Sequence, residues 1–294
     1  TRLTDGTGVQ TCALPIWLYD REGIEGIRRE SVDTPFGNPS DRYVIGRLHG
    51  REVVFLPRHG VGHRFMPSEI NYRANIFGMK KLGVSWIISV SAVGSLQEKY
   101  RPLDIVIVDQ FLDRTTRRCS TFFGDGLVVH IAFGEPVCKA LASILYESGR
   151  EIGASMHLGG TYVNMEGPAF STRAESEAYR RMGMDLIGMT NLVEAKLARE
   201  AEICYATMAM VTDYDCWHPD HEAVTVETVV KNLLKNAETA KAIIRKAVAK
   251  VPPVQGCACG RALETAIITQ RDAIPAEAAS RLGLLVGKYL AAKR

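Results

Sequence analysis

Two carboxylates, Asp213 and Asp215, directly follow the apolar run "AMV" in the stretch "MVTDYDCW". An ionised carboxylate is costly to place beside an apolar core, so a pair at this point indicates a function. Ionised carboxylates only accept hydrogen bonds, and they suit the amino and ring N–H groups of a nitrogen heterocycle. The simpler alternative is that both acids cap the segment that follows them.

A second group of polar residues follows other apolar runs and consists of hydrogen-bond donors. Arg58 and His59 come after "VVFLP", Ser91 comes after "WIISV", and Thr190 comes after "DLIGM". Arginine offers a planar fork that matches phosphate, and the N–H groups at a helix start add to an anion site. Each residue also has an ordinary structural alternative. Arg58 could pair with a surface acid, His59 could be a structural histidine, and Ser91 and Thr190 could be helix caps.

Three apolar residues lie at the same strand ends. Met165, Met189 and Phe170 offer apolar, polarisable surface for a flat or sulfur-bearing ligand. With the acids and the donors, they predict a pocket that binds an anion at one end and a nitrogen heterocycle at the other.

Short apolar runs alternate along the chain with stretches of helical periodicity. This alternation predicts a single α/β domain with a central mixed, largely parallel sheet flanked by helices. Ligands of such sheets bind outside the carboxyl ends of strands, where the polar residues described above are expected to meet. The predicted strands are 53–56, 86–90, 105–108, 162–165, 186–189 and 203–211, and the predicted helices are 68–82, 137–148, 172–182, 191–202, 226–251 and 276–292.

The overall composition argues against two classes of partner. The chain has 294 residues, 46% of them hydrophobic and 23% charged, and its net charge is only +3. Charge therefore gives no reason to expect nucleic acid, and the longest apolar runs are too short to span a bilayer. We expect a cytoplasmic protein that binds neither nucleic acid nor membranes.

Seven cysteines are scattered along the chain, and their odd number does not suggest a disulfide framework. Reduced, mostly buried thiols are therefore expected. Cys257 and Cys259 form a CxC pair that could bind zinc or act as a redox pair. A single CxC with no second Cys or His pair nearby is a weak zinc signal, and no metal site is predicted.

Longer segments of the sequence resemble a known family. The segments "LPRHGVGHRFMPSEINYRANIFGMKKLGV", "SAVGSL", "DIVIVDQFLDRT", "MEGPAFSTRAESEAYRRMG", "GMTNLVEAKLAREAEICYATMAMVTDYDCW" and "HEAVTVETVV" are similar to the trimeric purine nucleoside phosphorylase family. They most resemble its branch that cleaves S-methyl-5'-thioadenosine with phosphate into adenine and 5-methylthioribose 1-phosphate. The resemblance implies a pentosyltransferase of purine and methionine salvage that works as a homotrimer. It needs no cofactor, because inorganic phosphate is a co-substrate.

The resemblance also implies roles for individual residues. Asp213 would read the base and give a proton to its N7, and Asp215 would support the same base edge. Relatives that prefer 6-oxopurines carry an Asn where Asp213 stands. The other matched positions are phosphate contacts at Arg58, His59, Ser91, Ala92 (through its backbone) and Thr190; a ribose contact at Met189; the base-pocket residues Phe170 and Ser171; the 5'-methylthio wall residues Val226 and Val229; and His130, which reaches the ribose side of a neighbouring subunit.

The resemblance is lost just before Leu18. The family has a GG[ST]G phosphate loop there, whereas Ile16 stands here in place of the hydroxyl residue and Trp17 in place of a glycine. We therefore expect residues 1–16 to be non-native or aberrant and residues 17–294 to form one nucleoside phosphorylase domain.

Three alternatives remain at this point. One is a broader purine nucleoside phosphorylase, and another is a nucleoside-binding homologue whose catalysis is impaired by loss of the loop. The third is an NAD-type binder built on Gly6, Thr7 and Gly8, which lacks the following helix and the acid of that fingerprint.

Overall fold

The computed structural model describes residues 8–12, 23–219 and 226–291. In this part of the chain, eleven strands form one sheet. They are β1 (Gly8–Cys12), β2 (Glu25–Glu30), β3 (Tyr43–Leu48), β4 (Arg51–Phe55), β5 (Val84–Ser95), β6 (Ile105–Ile107), β7 (Gln110–Asp113), β8 (Met156–Leu158), β9 (Thr161–Asn164), β10 (Leu186–Gly188) and β11 (Cys204–Asp213).

The sheet is mixed and mostly parallel. Its order is β2-β3-β4-β1-β5-β10-β9-β7, and β11, β6 and β8 extend from β5 as a branch. Parallel ladders join β1 to β4 and β5, β5 to β11, β9 to β7 and β10, and β6 to β8. The remaining ladders are antiparallel. The predicted fold class is confirmed.

Helices cover both faces of this sheet. In the described residues they are α1 (Tyr72–Lys81), α2 (Lys139–Glu151), α3 (Arg173–Arg181), α4 (Asn191–Glu200), α5 (Val226–Lys250), α6 (Ala276–Arg281) and α7 (Gly283–Ala291). One core lies against α1, α4 and the C-terminal helices, and another lies against α2 and α5. Neighbouring residues of β5 alternate between them, since Ile87 joins the first core and Trp86 and Ile88 join the second. Strands covered on both faces read as continuous apolar runs, which is why they could be predicted.

The sheet changes its neighbours along β5. β1 pairs with β5 only as far as Ser89, and β10 pairs with it only from Gly94. β11 accompanies β5 on the opposite edge from Trp86 to Gly94. Among the described residues, the edge of β5 between Ser89 and Gly94 therefore has no strand partner. Open α/β sheets bind ligands at such a change of neighbour.

The predicted elements are present, with ends that shift by a few residues. Thr172 and Glu175 form the predicted capping box at the start of α3. The last predicted helix is divided, because α6 ends at Arg281 and α7 begins at Gly283. β1, β2, β3, β7 and β8 were not predicted. β2 has the polar sequence "EGIRRE" and is almost entirely exposed, so it carries no apolar signal.

The N-terminal strand β1 lies within residues 1–16, the segment set apart by the sequence analysis. Whether that segment is native to the enzyme stays a prediction. Ile16 and Trp17, which replace the glycine loop, lie outside the described residues. Across the ranges that are described, no helix combines the length and apolar character needed to cross a membrane.

Candidate active site

The two acids of the opening sequence motif lie at the carboxyl end of β11. Asp213 is the last residue of the strand and pairs across the sheet with Gly94 of β5. Its Oδ2 accepts a hydrogen bond from Thr212 Oγ1 at 2.6 Å, and its Oδ1 accepts one from the backbone N–H of Asp215 at 2.8 Å. Asp215 has a left-handed backbone with φ of 51°. That turn brings the second acid back beside the first.

Burial makes both carboxyls reluctant to ionise. It raises the pKa of Asp213 to about 6, against the hydrogen bonds from Thr212 and Asp215. Burial also raises the pKa of Asp215, although the nearby hydroxyls of Ser176 and Ser171 oppose it. Asp215 Oδ2 is buried and makes no hydrogen bond within the described part of the chain. An unsatisfied buried oxygen is costly, so this atom can accept a hydrogen bond from a ligand.

Gly94 leaves room for the acid pair. A Cβ at this position would lie 2.9 Å from Asp213 Oδ1, 3.1 Å from Ile187 Cγ2 and 3.3 Å from Asp215 Cβ. Gly94 does not have a positive φ. The glycine is therefore required by space and not by backbone conformation.

The predicted donor Ser91 lies on β5 between Ser89 and Gly94, and Thr190 follows β10, which pairs with β5 from Gly94 onward. Ser91 is buried within the strand, and its Oγ lies 3.3 Å from the hydroxyl of Tyr162. Thr190 is buried at the N-cap position of α4, yet its side chain makes no capping hydrogen bond. Asn164 caps this helix instead, because its Oδ1 accepts from the N–H of Leu192 at 3.2 Å. The alternative interpretation of both residues as helix caps is therefore wrong.

Ala92 follows Ser91 on the same strand and is partly buried. It lies in the stretch of β5 that has no described partner on one edge. Its predicted phosphate contact runs through the backbone and stays a prediction.

Arg58 is fully buried and belongs to a polar network beneath the donors. Its Nε lies 2.6 Å and its Nη2 3.2 Å from the two carboxylate oxygens of Glu194, which is also buried. Its Nη1 donates to the carbonyl of Val90, and its Nη2 also donates to Ser89 Oγ. The acid that pairs with Arg58 is therefore buried and not on the surface. Its role as a phosphate contact stays a prediction.

Glu194 was missed by the sequence analysis. It lies in the first turn of α4, where an acid ordinarily complements the helix dipole at the surface. Here its Oε2 also accepts hydrogen bonds from Ser89 Oγ at 2.8 Å and Tyr205 Oη at 3.0 Å. Asn191 extends the network to Ser89, Tyr205 and Thr207. This arrangement satisfies the buried charges and fixes the start of α4 against β5 and β11.

His59 presents one ring nitrogen to its own loop. Its Nδ1 lies 2.8 Å from the carbonyl oxygen of Phe65, which can only accept, so Nδ1 carries the proton. Burial, helped by the nearby charge of Arg58 and opposed by the Phe65 hydrogen bond, lowers the pKa of His59 to about 3. The neutral ring leaves Nε2 as an acceptor, which suits a protonated oxygen of phosphate.

Met189 lies between β10 and Thr190 and is held through its backbone. Its carbonyl oxygen accepts from Arg118 Nη1 and from Asn164 Nδ2. Arg118 also donates to the carbonyls of Met165 and Glu166, and its side chain is only 1% exposed. Arg118 has no signal in the sequence, since an arginine next to another arginine ordinarily lies on a solvated surface. It joins the two loops that carry the predicted methionines.

The remaining predicted residues surround this centre less closely. Phe170 is 46% exposed, and Ser171 is partly buried with its carbonyl accepting from Cys216 Sγ at 3.4 Å. Val229 is partly buried on α5, and the side chain of Val226 lies outside the described residues. His130 is exposed, and its backbone N–H donates to the carbonyl of Ala266. Their roles in binding stay predictions.

Helix α5 is attached to the acid pair through β11. Asn232 Nδ2 donates to the carbonyl of Thr212 at 2.7 Å, and Asn236 Nδ2 donates to that of Val211 at 2.9 Å. These two asparagines are one helical turn apart, so they lie on the same face of α5. The helix that carries Val229 is thereby fixed against the end of the strand that carries Asp213.

Comparison with known proteins identifies the family. The sequence profile of the Phosphorylase superfamily matches residues 12–249. An S-methyl-5'-thioadenosine phosphorylase of Koribacter versatilis is 59% identical, over 92% of this chain and 93% of its own. One of Geobacter sulfurreducens is 57% identical, over 93% of this chain and 96% of its own.

Solved structures agree with these relatives. The crystal structure of a methylthioadenosine phosphorylase from an antarctic soil metagenomic library has a TM-score of 0.88 and 48% identity, covering 95% of this chain and 97% of its own. The methylthioadenosine phosphorylase of Schistosoma mansoni in complex with adenine has a TM-score of 0.81 and 35% identity, covering 87% and 95%. The shared fold and the high identity over nearly the whole length lead to one conclusion: the chain belongs to the S-methyl-5'-thioadenosine phosphorylase family of the phosphorylase superfamily.

Proposed function

We propose that this chain cleaves S-methyl-5'-thioadenosine with inorganic phosphate, giving adenine and 5-methylthioribose 1-phosphate. The observation that carries the proposal is the buried acid pair at the end of β11, with the raised pKa of Asp213 and the unsatisfied Oδ2 of Asp215. The pair lies beside β5, the strand that bears Ser91. The names and substrates of the similar proteins support the same reaction.

Asp213 would recognise adenine through a protonated carboxyl. A carboxylic acid offers one acceptor oxygen and one O–H donor, which match the 6-amino group and N7 of adenine. A pKa of about 6 places this form within reach near neutral pH. Transfer of the proton to N7 would make adenine a better leaving group. Asp215 Oδ2 would accept a second N–H donor from the same base.

Phosphate would bind along β5 between Ser89 and Gly94. Ser91 and Thr190 supply hydroxyl donors, Ala92 supplies its backbone, and His59 Nε2 accepts from a protonated phosphate oxygen. Arg58 adds positive charge beneath them, held in orientation by Glu194. The phosphate would then attack C1' of the ribosyl group. The negative charge of the phosphate stabilises the cation-like ribosyl group in the transition state. Phosphate is the co-substrate, and no organic cofactor is needed.

Met189 would lie under the ribose, and the apolar residues at the start of α5 would enclose the methylthio group. Phe170 and Ser171 would border the base. An apolar wall with no hydroxyl partner favours methylthio over a 5'-hydroxyl by only about 10–200-fold, so slow cleavage of adenosine is expected.

We also propose that the active unit is a cytoplasmic homotrimer. His130 is exposed, and the large apolar side chains of Val128 and Ile268 beside it are 46% and 59% exposed. Backbone hydrogen bonding joins these two residues in one surface, because the N–H of Ile268 donates to the carbonyl of Val128. An apolar surface of this kind is typical of a subunit contact. Light scattering of the purified protein would give the number of chains per particle.

The direct test is the release of adenine from S-methyl-5'-thioadenosine with and without phosphate, with inosine as the comparison nucleoside. We expect release that depends on phosphate, and inosine turnover that is far slower. Release without phosphate would make the chain a hydrolase and overturn the proposal. Binding of the nucleoside with no release would indicate the impaired homologue, and efficient inosine cleavage would indicate the broader phosphorylase.

A further inference from the structure

Four cysteines converge at the end of β11 that is remote from the acids. They are Cys138 before α2, Cys204 at the start of β11, and Cys257 and Cys259 in the segment after α5. Their Sγ atoms all lie within 4.8 Å of one another. The sulfur of Cys257 lies 3.2 Å from that of Cys204 and 3.8 Å from that of Cys138. The CxC pair therefore does have partners, from two distant parts of the chain.

We propose that these four thiolates bind a single zinc ion. Zinc–thiolate bonds of about 2.3 Å in a tetrahedron place neighbouring sulfurs about 3.8 Å apart. The separations of Cys257 Sγ from Cys204 Sγ and Cys138 Sγ, 3.2 and 3.8 Å, and the 4.8 Å limit on all the pairs lie around this edge length. Four soft sulfur ligands select zinc or iron over hard cations. A multinuclear iron–sulfur cluster requires wider spacing between its cysteines, so the geometry favours a mononuclear ion.

The surroundings of the cluster suit bound thiolates. Cys138 occupies the N-cap position of α2, and the positive end of a helix dipole stabilises a thiolate placed near it. The side-chain amide of Gln255 donates to Cys204 Sγ at 3.3 Å. Such hydrogen bonds from outside the ligand set orient metal ligands.

A cleft of about 420 Å³ leads to the cluster from the surface. Ser85, Gln255, Cys257 and Arg261 are among its lining residues. Cys257 is partly buried, whereas Cys138, Cys204 and Cys259 are buried. The ion would therefore enter from the side of Cys257.

The proposed zinc site is structural and not catalytic. Cys204 and Asp213 stand at opposite ends of β11, and ten extended residues separate the two sites by about 30 Å. All four ligand positions are filled by sulfur, which leaves no open position for substrate. The ion would join the segment after α5 to α2 and β11.

That segment supports the surface that carries His130. The carbonyl of Ala266 accepts from the N–H of His130, and Thr269 Oγ1 accepts from the N–H of Val128 at 2.8 Å. Loss of the ion is therefore expected to loosen this surface as well as the C-terminal segment. The expected readouts are a lower melting temperature and a weaker assembly, with the acid pair unaffected.

The first experiment uses the unmodified full chain, purified with a reductant and without added chelator. Elemental analysis should find one zinc per chain. Titration with an organic mercurial, followed by a chromogenic zinc indicator, should release that zinc as four protected thiols react. Absence of any bound metal, or ready reaction of all the thiols without metal release, would overturn the proposal. One iron per chain in place of zinc would overturn the assignment of the ion.

The competing outcome is disulfide formation among the same cysteines. A disulfide requires a sulfur separation of about 2.05 Å and joins cysteines in pairs. Intact mass measured without reductant would then be lower by one or two pairs of hydrogens, and zinc would be missing. This result would also overturn the proposal.

Variants give an independent test. C257S/C259S should retain little zinc and melt at a lower temperature, whereas the control C119S, at an exposed cysteine outside the cluster, should retain one zinc per chain. Equal zinc content in both variants would contradict the assignment of ligands. If the double variant does not fold, the mercurial titration of the unmodified chain decides the question.

Discussion

Replacing Gly94 with alanine should disable the base site and leave the phosphate site intact. The added methyl carbon would lie 2.9 Å from Asp213 Oδ1, whereas ordinary contacts of such a carbon begin at 3.4 Å. Asp215 Cβ at 3.3 Å and Ile187 Cγ2 at 3.1 Å restrict movement of the methyl group in other directions. The Asp213 carboxylate must therefore shift by about half an ångström, which lengthens a hydrogen bond to the base beyond its useful range of about 2.7–3.2 Å.

The size of the effect follows from that lost bond. The proton that Asp213 shares with N7 of the base makes this hydrogen bond charge-assisted in the transition state. Such a bond contributes about 1.5–3 kcal/mol, so kcat/KM for S-methyl-5'-thioadenosine should fall roughly 10- to 150-fold. The KM for phosphate should change by less than about twofold, because the three atoms nearest the added methyl belong to Asp213, Ile187 and Asp215 and not to Ser91 or Thr190. Crowding in the core should also lower the free energy of unfolding by about 1–3 kcal/mol.

The rate of adenine formation at saturating phosphate and varied nucleoside gives kcat/KM for the nucleoside. The rate at saturating nucleoside and varied phosphate gives the KM for phosphate. G287A is the matched control, because a Cβ at Gly287 of α7 meets no heavy atom within 4 Å. It should keep full activity and gain about 0.5–1 kcal/mol of stability as a helix-interior alanine. If G94A keeps the kcat/KM of the unmodified enzyme within about twofold, the Asp213 carboxylate does not hold the base in the position inferred here.

Three further predictions concern neighbouring groups. The pKa of Asp213 is raised from 3.8 to about 6, so the folded protein keeps a proton that the unfolded chain has lost and stability falls as pH rises through that window. D213N should therefore have a higher free energy of unfolding than the unmodified enzyme above pH 6, by up to about 3 kcal/mol, and no advantage near pH 4. It should also turn over 6-oxopurine nucleosides better. Superimposable pH–stability curves of the two proteins would count against the raised pKa. E194Q leaves the Arg58 charge unpaired and should destabilise the fold by about 3–5 kcal/mol. Phosphate should raise the melting temperature of E194Q more than that of the unmodified enzyme, because the anion replaces the lost charge. An unchanged phosphate response would place the Arg58 guanidinium out of reach of phosphate. T190V should raise the KM for phosphate about tenfold with little change in thermal stability, because the Thr190 hydroxyl does not cap the helix. A loss of about 1 kcal/mol in stability would instead show that the hydroxyl does act as a cap.

The sequence predicted the fold class and the position of the acids because both depend on local patterns. The apolar run before Asp213 is covered on both faces, so it appears as an uninterrupted buried strand. The end of such a strand is where a ligand-binding carboxylate is expected. Strand β2 follows no such rule, since it is polar and exposed and is recognised only by its pairing with β3.

The partners of the site residues could not be predicted, since they depend on packing between distant segments. Glu194 pairs with Arg58 across 136 residues, and no local spacing relates them. The cysteines show the same limit. The CxC pair is a weak signal until the fold brings Cys138 and Cys204 beside it. The sequence therefore predicted correctly which residue types lie at the strand ends. It could not identify the partner residues that position those side chains.

The buried polar groups of the site divide into two kinds, and the division explains how an acid pair can persist there. Arg58 pairs directly with Glu194, and Ser89 and Tyr205 link this pair to Asn191, so these buried groups are satisfied and fix the shape of the site. Asp215 Oδ2 and the Thr190 hydroxyl lack strong partners of this kind within the described residues. A nucleoside and a phosphate would supply the missing hydrogen bonds at these atoms. The desolvation of the acids is thus a cost to the free enzyme that ligand binding relieves. This relief contributes to affinity, because the paired network holds Asp215 Oδ2 and the Thr190 hydroxyl in place, so that they cannot satisfy each other.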